Sequence, residues 1–560
     1  MKKVLDSKEL QWIEDKVNSM TVDEKIAQIT CTKFADFFLG VGQMKDATFE
    51  EYAAKLDEVM AKYPVGNVFF GSEVIHEEEG NAERAHFITS YLQSKVDIPM
   101  LISGDVESGA GAAVGGLTAL TNLYSLGVAD DEAISYKYGE LTAKSAKAIG
   151  YNWAYAPVVD LARNWISESG GRNFGSDSDL IIKHAKAVMH GMQDYNLGAC
   201  AKHFPGHDSH VNPHIGTSSF AISKEEWLAN EGKIYKELSE DGLMSVMAGH
   251  VGLEWAETFD EHENGYAPAS CSGEAIDGVL RDMLGFDGVV VTDGKTMAAF
   301  MNWKTERERV IDLYNGGIDM LLFANAEDID YMREAIASGE IPMEKVNKSV
   351  RRVLKMKLQL ELFDVVDTYD QLDEIEEEVK ELRAFLETKC VTCVKDHHKL
   401  LPLSKDKIKT AAVLRLDNGV ETGPNVTFIN QLKEYGIEVD VYTTADFSNW
   451  DVVPKMQLDV ENGKKWDAYF ILFAQGGSVG NSRPDGASSL ALWRSAGLIE
   501  SAEPILVSFT TPLLLRDMQH IKTFVATFSN GGKVIEYVPK AIFGEAEMNY
   551  KTTYFNLENE

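Results

Sequence analysis

Four histidines, a lysine and an aspartate crowd the fourteen residues Ala201-Lys202-His203-Phe204-Pro205-Gly206-His207-Asp208-Ser209-His210-Val211-Asn212-Pro213-His214. Pro205-Gly206 and Pro213 break helix and strand alike, so most of this segment should be a loop. Asp208 and His210 stand two apart, which lets a carboxylate approach one imidazole nitrogen while the other faces outward. Such a carboxylate fixes the tautomer and raises the basicity of the ring, and this suits proton transfer near neutral pH. Lys202 and His203 directly follow an apolar run, where desolvating charge is costly without a ligand or partner. A zinc pair would use the same histidines but lacks a clear third and fourth ligand. An accidental polar loop is the plain alternative.

A second candidate is Asp293, which ends the apolar run of GVVVTDGKTM and meets a tight turn at Gly294. A carboxylate held there is rigid, as a nucleophile that attacks in line must be. Capping the following helix is the competing role, and Lys295 could favour the charged carboxylate. Other apolar runs also end in polar residues. Asp105 closes LISGD, Asp160 closes APVVD (a helix cap being as good a reading there), and His250 follows SVMAG. Where parallel strands close into a barrel, such ends converge on one mouth.

The elements that must position these residues alternate short apolar runs with amphipathic helical stretches. The runs are VGNVFFG, 100–105, 151–160, 198–204, 242–252, 288–294 and 317–324. Strands buried on both faces become apolar throughout, so the pattern predicts parallel α/β architecture, and its recurrence favours a closed barrel. The opening residues predict helix, with a second start where Thr21 and Glu24 form a capping box. Residues 1–365 form the first domain, 366–406 a linker, and 407–560 a second α/β domain. In that domain five candidate strands (409–416, 438–443, 466–474, 503–510 and 521–529) suggest a flavodoxin-like αβα sandwich. No GxGxxG follows its first strand, so a nucleotide role is weak.

The formal charge of -34, from 88 acidic against 54 basic residues, repels nucleic acid and anionic membrane surfaces. The N-terminus lacks the apolar core of a signal peptide and the apolar runs are too short to span a bilayer, so a cytoplasmic location is expected. The five cysteines do not resemble a disulfide framework, and Cys390-Val-Thr-Cys393 reads as a chance pair near a buried strand. No cofactor and no metal is called for.

Taken in order, MTVDEKIAQI, GDVESGAG, NWAYAPVVDLARN, GRNFGSDSDL, AKHFPGH with DSH, LRDMLGFDGVVVTDGKTM, GGIDMLLF and LLPLSK resemble glycoside hydrolase family 3, within it the β-N-acetylglucosaminidase branch. The resemblance implies a (β/α)8-type TIM barrel followed by an αβα sandwich. It also implies Asp293 as nucleophile, an Asp208–His210 acid/base dyad, and sugar-binding roles for Asp105, Arg172, Lys202 and His203. Three departures stand out. His207 runs directly into Asp208 where the family usually spaces PGH from DSH, which leaves His207 and His214 as fallback acids. TDG replaces the commoner SDD, and GDVESGAG lacks an arginine often found shortly after it. The implied activity is retaining hydrolysis of a terminal β-linked N-acetylglucosamine from a small saccharide or glycoconjugate. A phosphorylase, a β-glucosidase and a non-catalytic saccharide-binding protein are the alternatives, and homodimerisation is one role open to the second domain.

Overall fold

The computed structural model describes all residues except 1–2, 36–46, 72–80, 164–171, 208–210, 264, 418–422, 450, 475–485, 496–501, 510–513, 516–517, 529–533 and 551–560. Two compact units emerge. One comprises Met1–Leu120, Asp131–Leu161 and Ser178–Glu381, the other Thr121–Asp130, Ala162–Asp177 and Leu382–Glu560.

Eight strands build the first unit: β1 (Thr30–Lys33), β2 (Asn67–Phe69), β3 (Leu101–Gly104), β4 (Trp153–Ala154), β5 (Gly198–Phe204), β6 (Ser245–Ala248), β7 (Val289–Thr292) and β8 (Leu321–Leu322). Their order is β8-β1-β2-β3-β4-β5-β6-β7 and every pairing is parallel. A parallel bridge between Val291 and Met320 brings the two ends together, so the sheet is the barrel that the alternating pattern predicts. Its interior is filled by Cys31, Phe69, Leu101, Trp153, Tyr155, Cys200, Met247 and Val291, with Val353 and Met356 of the helix Met343–Gln359 in the same cluster.

The helices begin where the sequence provides caps. Thr21 with Glu24, Thr48 with Glu51 and Thr305 with Glu308 each form a capping box, so two backbone groups are satisfied reciprocally at each start. The first box opens Val22–Ile29, which passes straight into β1. The sequence reading has a helix here but no strand. Beyond β5 and β6, two further short strands, Ser218–Phe220 and Val251–Leu253, pair in parallel.

The second unit holds a six-stranded sheet of β9 (Thr392–Asp396), β10 (Thr410–Leu416), β11 (Glu438–Thr443), β12 (Ala468–Phe473), β13 (Pro504–Ser508) and β14 (Thr523–Ala526), in the order β9-β14-β13-β12-β10-β11. Only β9 runs antiparallel to its neighbour. Adjacent residues feed opposite cores: Val413, Phe470, Val507 and Val525 face one side, and Leu414, Ile471, Leu506 and Phe524 the other. This two-residue alternation into two apolar layers is what an αβα sandwich requires. The segment 366–406, expected as a linker, carries the 19-residue helix Leu372–Cys390 and β9. Cys390 and Cys393 are buried and free, and burial pushes both thiols up.

Candidate functional site

The ends of β3, β4, β5, β6 and β7 deliver a connected set of charged and polar side chains. Lys202, in the second half of β5, is buried and donates to Asp105 Oδ1 at 2.8 Å, while its Nζ also lies 2.6 Å from Glu107 Oε1. Two carboxylates share this ammonium, which offsets the cost of burying it. Asp105 remains 54% exposed at the side chain, against 3% for Lys202, so the Asp105 carboxylate has surface left for a ligand.

Next to this cluster His203 is held by Asp160, six residues beyond the end of β4. Oδ1 accepts from the His203 backbone N–H at 3.0 Å and Oδ2 faces Nδ1 at 2.8 Å. Burial alone would raise the Asp160 carboxyl. The interaction and hydrogen bond with His203, and the charge of His207, outweigh burial and hold it below the usual carboxylate range. The His203 and His207 rings meet edge to face with centroids 5.1 Å apart. His207 is buried, whereas His214 is exposed on a turn whose carbonyl accepts from Ala298 N–H.

Asp293 stands immediately after β7, its backbone N–H bound to Ala248 O of β6 at 2.9 Å. Oδ1 accepts from the Gly294 N–H at 2.7 Å. The carboxylate is densely surrounded yet still reaches solvent. Desolvation would raise its pKa, but the electrostatic pull of His203 and His250, the Gly294 hydrogen bond and the charge of Lys202 together lower it to about 2. Gly294 has no room for a side chain, because a Cβ there would lie 2.7 Å from the Phe323 ring. Lys295 turns elsewhere and pairs with Glu306 at 3.0 Å and Asp328 at 2.5 Å. The ionised state of Asp293 is therefore supported by His203 and Lys202 of β5, by His250 after β6 and by the Gly294 N–H, while Lys295 is engaged elsewhere.

His250, two residues after β6, is buried with both ring nitrogens engaged. Nδ1 lies 2.8 Å from Ser270 Oγ and Nε2 lies 3.1 Å from the Gly294 carbonyl oxygen. Burial lowers its pKa, with Asp293 pulling the other way.

The structure thus brings together Asp105, Lys202, His203 and Asp293 of the residues singled out in the sequence. It adds Glu107, and it gives Asp160 and His250 specific partners. Glu107 stands two residues from Asp105 in GDVESG, which is the one local signal that could have found it. Arg172 groups with the second unit. Asp208 and His210 lie outside the described residues. Among the described residues no cluster of His, Cys, Asp or Glu is arranged to hold a metal ion, and no helix is long and apolar enough to cross a membrane. An ionised, mostly buried carboxylate facing a lysine and an oriented imidazole can act as a nucleophile toward an electrophilic carbon.

Comparison with known proteins gives this geometry a context. The model of the glycosyl hydrolase family 3 N-terminal domain matches residues 21–356. A Cellulomonas fimi protein described as a β-N-acetylglucosaminidase/β-glucosidase is 26% identical over 563 residues, covering 97% of this chain and 95% of that one. The β-hexosaminidase of Thiobacillus denitrificans is 31% identical over 246 residues, 41% of this chain and 64% of its own. Among solved structures, the β-glucoside phosphorylase BglX bound to 2FGlc superposes with a TM-score of 0.82 at 24% identity, covering 99% of this chain and 98% of that one. A β-N-acetylglucosaminidase from Paenibacillus sp. str. FPU-7 gives 0.76 at 22%, covering 96% and 99%. These structural likenesses establish the two-domain fold.

Proposed function

Because the chain belongs to glycosyl hydrolase family 3, we propose that it is a retaining exo-β-N-acetylglucosaminidase that releases terminal β-linked N-acetylglucosamine from a small saccharide or glycoconjugate. The observation that carries this reading is the ionised Asp293 at the end of β7, with Oδ1 occupied by the Gly294 N–H and Lys202 and His203 lowering its pKa. The names of the Cellulomonas fimi and Thiobacillus denitrificans relatives support the acetamido sugar.

In the first step Asp293 Oδ2 bonds to the anomeric carbon as the glycosidic C–O bond breaks. The leaving oxygen takes a proton from His210, which Asp208 orients. In the second step the neutral His210 removes a proton from water, the water oxygen bonds to the anomeric carbon, and Asp293 leaves as carboxylate. Two inversions give net retention. Lys202 and His203 donate to sugar oxygens and Asp105 accepts from hydroxyls at the non-reducing end. Five free, buried cysteines suit a reducing compartment, and we assign the protein to the cytoplasm on that ground.

The test is turnover of an aryl β-N-acetylglucosaminide beside the matching aryl β-glucoside, with and without phosphate, and with D293A as control. Hydrolysis confined to the acetamido sugar and lost in D293A supports the reading. Release of a sugar phosphate makes the enzyme a phosphorylase, and preference for the glucoside makes it a β-glucosidase. Saccharide binding without turnover of either sugar removes the catalytic assignment.

A further inference from the structure

His250 belongs to none of the groups assigned to substrate, yet it connects β6 to the turn that carries Asp293. A carbonyl oxygen accepts and never donates, so the 3.1 Å contact with Gly294 O requires a proton on Nε2. In the neutral ring Nδ1 is then the acceptor, and the Ser270 hydroxyl at 2.8 Å donates to it. Ser270 is itself fixed, since its N–H donates to Gly249 O. The ring is buried, with Phe300 packed against it at 4.7 Å between centroids. With both nitrogens spent on the protein, His250 has none left for a substrate proton.

We propose that His250 is a positioning residue for Asp293: through its Nε2–H bond to Gly294 O it fixes the glycine turn whose N–H holds Oδ1 of the nucleophile. This inference rests on Asp293 being the nucleophile. Gly294 bears no side chain, so the rotation of its backbone is set by what its two polar groups bind. Its N–H goes to Asp293 Oδ1 at 2.7 Å and its carbonyl receives both His250 Nε2 and the Met297 N–H, the latter at 3.1 Å. Asp293 N–H is already tied to Ala248 O. The backbone is thus held on both sides of the carboxylate by β6 and the residues that follow it. Loss of the His250 bond leaves the carbonyl to the Met297 N–H alone, which loosens the turn and lets the Oδ1 donor drift. Bound sugar would still be gripped by other groups, so the loss should fall on the chemical step and not on affinity.

The two amide replacements separate this role from simple packing. Glutamine places its terminal amide near the position of Nε2 and can donate to Gly294 O. Asparagine reaches only as far as Nδ1 and can serve Ser270 alone. We would compare wild type, H250Q, H250N and H250A on whichever aryl glycoside wild type turns over best, measuring kcat, KM and the rate of the first turnover, with thermal melting as a folding control. The expected result is a loss of kcat of roughly 100-fold in H250N and H250A, the scale on which small misplacements of a reacting group act. KM should stay within a few-fold and H250Q should recover most of the rate. Equal rates for H250Q and H250N, or a loss confined to KM, would overturn the role while leaving Asp293 in place as nucleophile. Failure of wild type to turn over any of the glycosides would overturn the catalytic reading and this role together.

Discussion

Asp160 binds His203 twice, through Oδ1 to the backbone N–H and through Oδ2 to Nδ1. A carboxylate only accepts, so Nδ1 carries a proton and Nε2 is the nitrogen turned to other partners. D160N keeps the shape but presents an amide nitrogen as a donor to one of two donors, which forces the other tautomer or breaks a bond. Charge-assisted hydrogen bonds contribute roughly 1.5–3 kcal/mol, so kcat/KM should fall about 10- to 100-fold with the variant still folded. The lowered Asp160 pKa also stabilises the fold above the ordinary carboxylate value of 3.8, and this is lost as pH falls through the lower folded value. Denaturant titrations at successively lower pH should show wild type losing more stability than D160N.

The parts of this molecule that were legible in sequence are those that local pattern controls. Val289–Val291 and Gly198–Ala201 are apolar, as strand segments buried on both faces are, and the polar residues that follow them announce a barrel mouth. Thr30–Lys33 was not legible: a four-residue strand with two threonines and a lysine, continuing directly from a helix, offers neither a break nor an apolar run. Partners were not legible either. Lys202 and Asp105 are 97 residues apart and His250 and Gly294 are 44 apart, so sequence can indicate which residue types end strands but not which of them meet. Lys295 makes the point in reverse, since adjacency suggested Asp293 while its partners are Glu306 and Asp328.

Asp293 should set no part of the acid limb of activity near pH 4. Its carboxyl is lowered to about 2, so it stays ionised well below the range of an ordinary aspartate. The pH profile of kcat/KM should carry no inflection between about 3 and 5 attributable to a carboxylate nucleophile of ordinary pKa. D293N should lower kcat by at least roughly 10⁴-fold, as loss of a nucleophile does. An inflection near 4 that disappears when another carboxylate is changed would identify that residue instead.

The proposed acid, His210, is best tested by leaving group. A good aryl leaving group departs without a proton, whereas an alkyl or sugar leaving group needs one. H210A should therefore lose far more activity on a glycoside with a poor leaving group than on an activated one. Added azide, which attacks without a general base, should restore turnover of the activated substrate and give the β-glycosyl azide. Parallel variants D208N, H207A and H214A identify the alternatives. If H210A behaves as wild type and H207A or H214A shows the leaving-group dependence, the proton comes from that histidine.

Lys357 is a buried group whose titration should be visible in stability from neutral pH upward. It lies in the helix Met343–Gln359, fully buried, and donates to Gln28 Oε1 at 2.7 Å and Gly66 O at 3.3 Å. Burial lowers its pKa from 10.5 to about 7, with Cys31 opposing the shift. Between those values the unfolded chain holds a proton that the folded chain lacks, so stability rises with pH across that window, by up to about 1.4 kcal/mol per pH unit. Below about 7 both states are protonated and the contribution is flat. K357M removes the titration, so its stability advantage over wild type should be largest near pH 7 and should shrink steadily toward pH 10. Urea melts of both proteins at intervals across this window measure that difference directly, and a constant difference would mean that the Lys357 pKa is not depressed in the folded state.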